Sequence, residues 1–208
     1  MQAPNDLALT IDGPEGELEL RVTEAVAARA VAVICHPHPL YGGSLDNKVV
    51  HTLMRAARDQ GATVVRFNFR GVGGSQGLHD DGRGEVDDCL AAIAWAEQRY
   101  ALPVWLMGFS FGGYVAAAAA KRLPVYPQRL VLVAPSVERL PFADLLPLDG
   151  ECAVCMGDAD DVVAPEAVFS LLEDQPGIDL RRFAGAGHFF HGRLVDLKNV
   201  VEELLSGT

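Results

Sequence analysis

One serine of the chain lies in a setting that could make it a nucleophile. The apolar run 104–107 is followed by Gly108-Phe-Ser110-Phe-Gly112-Gly113 and then by an alanine-rich stretch. This is the pattern G-x-S-x-G between a strand and a helix, and its small residues permit the sharp turn that exposes a serine hydroxyl. The start of the following helix would also stabilise negative charge beside that serine. The pattern predicts that Ser110 attacks a carbonyl carbon.

A second copy of the pattern, Gly73-Gly-Ser75-Gln-Gly77, lacks this setting. It lies several residues beyond a strand-like run and leads into 78–82, a stretch without helical character. The same loop does not complete the dinucleotide-binding pattern G-x-G-x-x-G, because Gln76 occupies the place of the third glycine. We therefore predict that Ser75 is a loop residue.

A serine becomes a good nucleophile only when a general base takes its proton and an acid orients that base. In the chain order serine, acid, histidine, the base is one of the two histidines that follow Ser110. His188 ends a glycine-rich loop directly after the last strand-like run. His191 precedes the final helix, where an exposed position is expected. We predict His188 as the base and keep His191 as the alternative.

The acid should follow the preceding strand-like run, which ends at Gly157. Asp158, Asp160 and Asp161 all qualify. Three carboxylates this close together cannot all be cheaply removed from water, so we expect most of the cluster to be solvated. One of them can be buried beside an imidazole, and position alone does not choose which.

The cysteines form a literal C-x-x-C at Cys152 and Cys155. These two lie in a strand-like run, and a strand directs residues three apart to opposite faces. A redox C-x-x-C would open a helix, and the sequence has no second C-x-x-C to complete a zinc site. We predict that they, like Cys35 and Cys89, are small buried residues of the core.

The pair His36 and His38 has the H-x-H spacing of many metal ligands, but no carboxylate or cysteine is positioned to complete a site. We predict that both shape a loop or line a pocket. Arg70 is a candidate to anchor this loop through Asp46 or another acid, with substrate contact as the alternative.

Strand-like and helix-like segments alternate along most of the chain. The turn-rich residues 13–16 predict an N-terminal hairpin of 7–11 and 18–22. Further strands are predicted at 30–35, 63–69, 104–107, 129–134, 151–156 and 178–183, the last nearer an edge. Helices are predicted at 47–60, 84–100, 111–123, 165–173 and 193–205. Continuous apolar strands between helices predict an α/β fold, with a mostly parallel sheet covered by helices on both faces. We expect a single domain over 1–208.

Charge and hydropathy exclude several classes of protein. The formal net charge of −11 argues against nucleic acid or an anionic membrane surface as a partner. Residues 1–10 lack the basic and apolar regions of a signal peptide, and no apolar stretch has the length of a membrane span. We expect a cytoplasmic protein whose partner is a small molecule, and no pattern specifies an oligomeric state.

Several motifs taken together resemble one superfamily across nearly the whole chain. They are His36-Pro-His-Pro-Leu-Tyr-Gly-Gly43, Asp46-Asn-Lys48, Asn68-Phe-Arg-Gly71, Gly108-Phe-Ser-Phe-Gly-Gly113, Gly157-Asp-Ala-Asp160 and Gly187-His188. In this order they resemble the α/β-hydrolases, and within them the small cap-less bacterial hydrolases related to the dienelactone-hydrolase group. The resemblance implies an α/β-hydrolase fold without a cap domain, and it implies Asp160 as the acid. It also implies a reaction that needs neither a metal nor another cofactor.

Two backbone N–H groups are expected to stabilise the oxyanion of a tetrahedral intermediate. One is that of Phe111, directly after the nucleophile. The other should come from the loop after the strand 30–35. Because prolines have no N–H, only His38, Leu40 and Tyr41 can donate there. The resemblance points to His38, with Leu40 next.

The segment 136–150 is too short for a helical cap, so the expected pocket is shallow and open. Such a pocket suits small carboxylic esters, thioesters or lactones, cleaved through an acyl-enzyme as in a carboxylesterase. Four apolar side chains of the segment could form a pocket wall or pack on the core: Leu140, Phe142, Leu145 and Leu146. The alternative to a serine hydrolase is a non-catalytic binding protein of the same fold. A lyase or haloperoxidase-like activity of the same residues is a third possibility.

Overall fold

The structure is a computed structural model, and it describes residues 6–206. Within these residues, the strand-like runs form one sheet. The strands are β1 (Asp6–Gly13), β2 (Gly16–Thr23), β3 (Ala30–Cys35), β4 (Ala62–Phe67), β5 (Val104–Phe109), β6 (Arg129–Val133), β7 (Cys152–Gly157) and β8 (Ile178–Phe183). The helices are α1 (Lys48–Asp59), α2 (Arg83–Tyr100), α3 (Phe111–Arg122), α4 (Pro165–Leu172) and α5 (Leu194–Ser206). Every predicted element is present, with ends shifted by at most two residues.

The sheet has the order β1-β2-β4-β3-β5-β6-β7-β8. The predicted hairpin of β1 and β2 pairs antiparallel, and β2 is also antiparallel to β4. All remaining pairs are parallel. The mostly parallel sheet is therefore confirmed, and β8 lies at its edge as expected.

Burial follows from position in the sheet. Every residue of β3, β4, β5 and β7 is buried, because helices cover these strands on both sides. Helix α1 packs against α5, and α2 packs against α3, which gives one helical layer on each face. The edge strand β8 is only partly buried.

The strand predicted at 63–69 ends two residues earlier than expected, and the two residues left out bind the neighbouring loop. It ends at Phe67, because the next two residues bind outside the ladder. The side chain of Asn68 accepts the N–H of Leu45 at 2.9 Å, and the N–H of Phe69 donates to His36 Nε2 at 3.0 Å. The end of β4 is thus tied to the loop after β3.

The direction of the chain across the sheet changes at β3. From β3 the chain passes to β4 on one side, and then crosses to β5 on the other side. Ligand sites of open α/β sheets lie outside the carboxyl ends of the strands at such a switch point. Cys35 at the end of β3 pairs in register with Gly108 of β5. The loops carrying His38 and Ser110 therefore start side by side.

The segment between β6 and β7 forms no cap. It contains a short 3₁₀ helix, Phe142–Leu145, that packs on α3. Phe142 is fully buried, and Leu145 and Leu146 are half-buried against the core. Leu140 is also partly buried against the core, so all four apolar side chains of this segment pack on it.

The side chain of Arg70 connects two parts of the fold. The Arg70 guanidinium binds the buried carboxylate of Asp88 at 2.8 Å, rather than Asp46, and so links the loop after β4 to α2.

All four cysteines are buried, and none forms a disulfide. Burial raises the pKa of the Cys155 thiol to about 12.

Within residues 6–206, none of the helices has the length and apolar character that a membrane crossing requires. The same residues contain no cluster of three or more His, Cys, Asp or Glu side chains that could hold a metal ion. Residues 1–5, half of the segment on which the signal-peptide expectation rests, lie outside the described part.

Candidate active site

Ser110 occupies a strained turn between β5 and α3. Its backbone has φ 57° and ψ −117°, a conformation that non-glycine residues rarely adopt and that costs about 1–3 kcal/mol. Two hydrogen bonds hold the turn: the Ser110 N–H donates to Val133 O at 2.8 Å, and the Gly113 N–H donates to Ser110 O at 2.9 Å. This is the geometry expected of an elbow that presents a reactive hydroxyl.

Two glycines make the elbow sterically possible. A Cβ atom on Gly108 would clash with the carbonyl oxygen of Gly112. A Cβ atom on Gly112 would clash with the carbonyl oxygens of Cys35 and His36. The first turn of α3 therefore lies directly against the backbone of the loop after β3, which only glycine permits.

Ser110, His188 and Asp160 form one chain of hydrogen bonds. Ser110 Oγ lies 3.0 Å from His188 Nε2, and His188 Nδ1 lies 2.7 Å from Asp160 Oδ2. The second carboxylate oxygen of Asp160 accepts the N–H groups of Val162 and Val163, each at 2.8 Å. All three members of the chain are buried.

These contacts determine the orientation of the imidazole. The carboxylate of Asp160 can only accept, so His188 donates its Nδ1–H to it. Nε2 then faces Ser110 Oγ, where its lone pair can receive the hydroxyl proton. The arrangement is that of a serine nucleophile, a general base and an orienting acid.

The alternative residues of the sequence lie apart from this chain. Asp158 is exposed, and its carboxylate accepts the N–H of Gly185 at 2.6 Å. Asp161 is also exposed. His191 is exposed and stacks on the ring of Phe189, with centroids 5.8 Å apart. Ser75 binds backbone groups only: it accepts the N–H of Glu19 and donates to Asn68 O.

The loop after β3 distinguishes among the three candidate oxyanion donors. The N–H of Leu40 donates to His38 Nδ1 at 3.2 Å, and that of Tyr41 donates to His38 O at 3.1 Å. Within residues 6–206, the backbone N–H groups of His38 and Phe111 have no hydrogen-bond partner. The rings of these two residues pack together, with centroids 4.9 Å apart.

His36 shapes this loop from the interior. Its Nε2 accepts the N–H of Phe69 at 3.0 Å, so its Nδ1 carries the hydrogen and donates to Pro37 O at 2.6 Å. Burial disfavours the imidazolium and lowers the pKa of His36 to about 4. His36 is therefore neutral at pH 7 and binds two backbone groups, a loop-shaping position.

An open cleft of about 760 Å³ lies over Ser110. The side next to β3 and β4 is polar, with His38, His79 and Asp81, whereas the side next to β7 and β8 is apolar, with Val162, Val163 and Phe189. Leu140 lies in the wall between them, so this residue alone of the four apolar candidates reaches the cleft. The cleft is also lined by Pro37, Tyr41, Gly42, Gly43, Asn47, Phe111, Ser136, Arg139, Pro141 and His188.

His79, which lines the cleft, and the residue that holds it were not predicted from the sequence. The wholly buried carboxylate of Glu85 accepts His79 Nδ1–H at 2.7 Å, along with the N–H groups of Asp80 and Gly82. The His79 ring lies 4.9 Å from that of His38. A glutamate three residues into α2, in the position of a capping box, was the available signal.

Comparison with known proteins gives consistent matches. Residues 33–152 match the family model described as alpha/beta hydrolase fold. A crystal structure of an α/β serine hydrolase without lid from Xanthomonas campestris is 42% identical, with a TM-score of 0.88 over 98% of this chain and 95% of that chain. An alpha-beta serine hydrolase homologue from Coxiella burnetii is 39% identical, with a TM-score of 0.91 and 98% coverage of both chains. A dienelactone hydrolase from Anabaena variabilis, 18% identical, shares the fold with a TM-score of 0.83 over 98% of this chain and 97% of that one.

Proposed function

Since this chain belongs to the α/β-hydrolase family and is a hydrolase, we propose that it cleaves small carboxylic esters, thioesters or lactones through an acyl-enzyme on Ser110. The family matches also confirm the predicted fold and its lack of a cap. The observation that carries the proposal is the hydrogen-bonded chain Asp160–His188–Ser110, which opens into the cleft beside two unpartnered N–H groups.

In the first step, Ser110 Oγ forms a bond to the carbonyl carbon of the substrate. The hydroxyl proton passes to His188 Nε2, 3.0 Å away. Asp160 stabilises the imidazolium that results, because its carboxylate lies 2.7 Å from Nδ1. The C=O π electrons move to oxygen and produce a tetrahedral oxyanion.

The N–H groups of Phe111 and His38 are the proposed oxyanion donors. They flank the elbow and have no other partner among residues 6–206, so they can bind the developing charge without breaking an existing hydrogen bond. Phe111 is also the first residue of α3, where the helix dipole favours an anion. Leu40 and Tyr41 fit less well, since their N–H groups are used within the loop.

The intermediate collapses when the C–O or C–S bond to the leaving group breaks and His188 Nε2 gives that group its proton. An ester releases an alcohol, a thioester releases a thiol, and a lactone opens with the hydroxyl still attached to the acyl group. Water then attacks the acyl-enzyme, with His188 as base again, and the carboxylic acid leaves.

The cleft supports a small substrate. It is open, and the segment between β6 and β7 does not cover it, since its 3₁₀ helix packs on α3. A long acyl chain would therefore stay largely in water, whereas a short acyl group would fit within the cleft.

Hydrolysis of p-nitrophenyl butyrate by matched variants tests the proposal. We expect Ser110→Ala and His188→Ala each to lower kcat by about 10⁴-fold or more, as in other triads. Ser75→Ala removes a serine hydroxyl outside the hydrogen-bonded chain, so it should keep kcat within about threefold of wild type.

Two results would contradict the proposal. One is equal loss of activity in Ser75→Ala and Ser110→Ala. The other is a folded wild-type protein that hydrolyses no ester, thioester or lactone yet binds such molecules, which would favour a non-catalytic binding protein.

A further inference from the structure

We propose that Phe189 is the centre of a leaving-group subsite, and that the natural leaving group contains a planar ring. The proposal deepens the one above and rests on it, because it assigns one side of the cleft to one part of the ester. It concerns a residue outside the hydrogen-bonded chain, in the apolar part of the cleft wall.

Phe189 connects two cavities. Its side chain lines the cleft over Ser110 and also an adjoining depression of about 400 Å³. Gly42 and Asn47 line both as well, so the two cavities meet at these three residues. Phe189 is 42% exposed.

The backbone holds the ring in this position. The next residue, Phe190, is fully buried and packs edge-on against Phe183, with centroids 5.3 Å apart. Phe190 also has φ 51°, a disfavoured conformation for a bulky residue. Its buried ring maintains this turn, and as a result Phe189 faces the cavities. Strain of this kind at a ligand cleft points to a function for the residue that it orients.

The chemistry places the leaving group on the Phe189 side. The leaving oxygen must come within hydrogen-bond reach of His188 Nε2 to receive its proton. The ring of Phe189 lies 5.0 Å from the ring of His188 and nearly perpendicular to it. The proposed oxyanion donors lie elsewhere, since His38 packs against His79 on the polar side. A group attached to the leaving oxygen is therefore next to Phe189.

Aromatic contacts favour a planar ring as that group. The His191 ring lies roughly parallel to Phe189, at 25°, and both rings are exposed at the depression. Rings gain contact energy from offset or edge-on packing against one another. Beyond the two rings, the depression is lined by the polar side chains of Ser44, Asp46 and Lys48, which suit polar groups at the far end of the ring.

Two acetates with leaving alcohols of similar basicity test the assignment. They are 2-phenylethyl acetate and 2-cyclohexylethyl acetate, which differ in the planarity of the ring. We expect wild type to prefer the phenyl ester in kcat/KM by about two- to tenfold, the range that ring–ring contacts give. Phe189→Leu should abolish this preference, and Phe189→Tyr should retain it.

Controls separate the two sides of the cleft. Ethyl phenylacetate and ethyl cyclohexylacetate carry the same rings on the acyl side, and we expect Phe189→Leu to leave their ratio unchanged. Val125→Ala truncates an exposed apolar side chain far from both cavities and should change neither ratio.

The subsite assignment is wrong if Phe189→Leu keeps the wild-type preference among the acetates, or if it changes only the acyl pair. In both cases the esters are still hydrolysed, so the proposed function stands. A wild-type protein that hydrolyses none of the four esters instead refutes the proposed function, and the subsite with it.

Discussion

His36 should make the wild-type protein less stable at about pH 5 than at about pH 7.5, and replacing His36 by glutamine should abolish this part of the pH dependence. In the folded protein, burial lowers the pKa of His36 to about 4 from the usual 6.5. Between these two values the unfolded chain binds a proton that the folded protein does not. Protons therefore favour unfolding as the pH falls below 6.5, and the stability that neutral His36 maintains is lost progressively toward pH 4.

The magnitude follows from the two pKa values. Each pH unit between them is worth about 1.36 kcal/mol in the free energy of unfolding. At about pH 5, about one and a half units below the pKa of His36 in the unfolded chain, this residue alone should lower the free energy of unfolding by about 2 kcal/mol. The loss would be a large fraction of the stability of a typical domain.

Urea unfolding of wild type and His36→Gln at both pH values measures this effect. The glutamine carbonyl can still accept the N–H of Phe69, as His36 Nε2 does, but it does not titrate. All other ionisable groups are shared, so the stability gap between wild type and variant should shift by about 2 kcal/mol in favour of the variant at the lower pH. His191→Gln, at an exposed histidine, is the control and should show no such shift. Parallel pH dependence of wild type and His36→Gln would refute the argument.

Three further predictions concern the site. Asp160→Asn should lower kcat for p-nitrophenyl butyrate by about 10⁴-fold, because the amide can hold the wrong tautomer of His188, whereas Asp158→Asn should stay near wild type in the same assay; the reverse order would contradict the assignment. Gly112→Ala should lower the free energy of unfolding by about 1–3 kcal/mol in urea titrations, because its Cβ would clash with two backbone oxygens, and unchanged stability would be inconsistent with that contact. In a series of p-nitrophenyl esters, kcat/KM should stop rising after a short acyl chain. Each added methylene contributes about 0.8 kcal/mol, or about fourfold in kcat/KM, only if it is buried. A steady rise through decanoate would show a covered pocket.

Much of this architecture could be predicted because it depends on local patterns. The apolar runs of β3 to β7 and the turn around Ser110 are specified by neighbouring residues. The choice of His188 over His191 also followed from position, since one ends the loop after β8 and the other precedes α5. The two glycines of the elbow were expected for the turn itself, and the structure adds that Gly112 touches the loop after β3.

Other features depend on contacts between distant segments. Position did not distinguish Asp160 from Asp158 or Asp161, because the difference lies in burial and in the N–H groups that meet its carboxylate. His79 was missed because its approach to His38 results from the pairing of β3 with β4. Phe189 was missed because an aromatic residue in a loop is most often buried, and only the turn at Phe190 directs it outward.

Labelling with a fluorophosphonate probe tests the central claim most directly. The probe reacts with a serine only when a base activates its hydroxyl and an oxyanion site accepts the phosphoryl oxygen. Peptide mapping should place the adduct on Ser110, and labelling should be lost in Ser110→Ala and His188→Ala. An adduct on Ser75, or unchanged labelling of Ser110→Ala, would contradict the account.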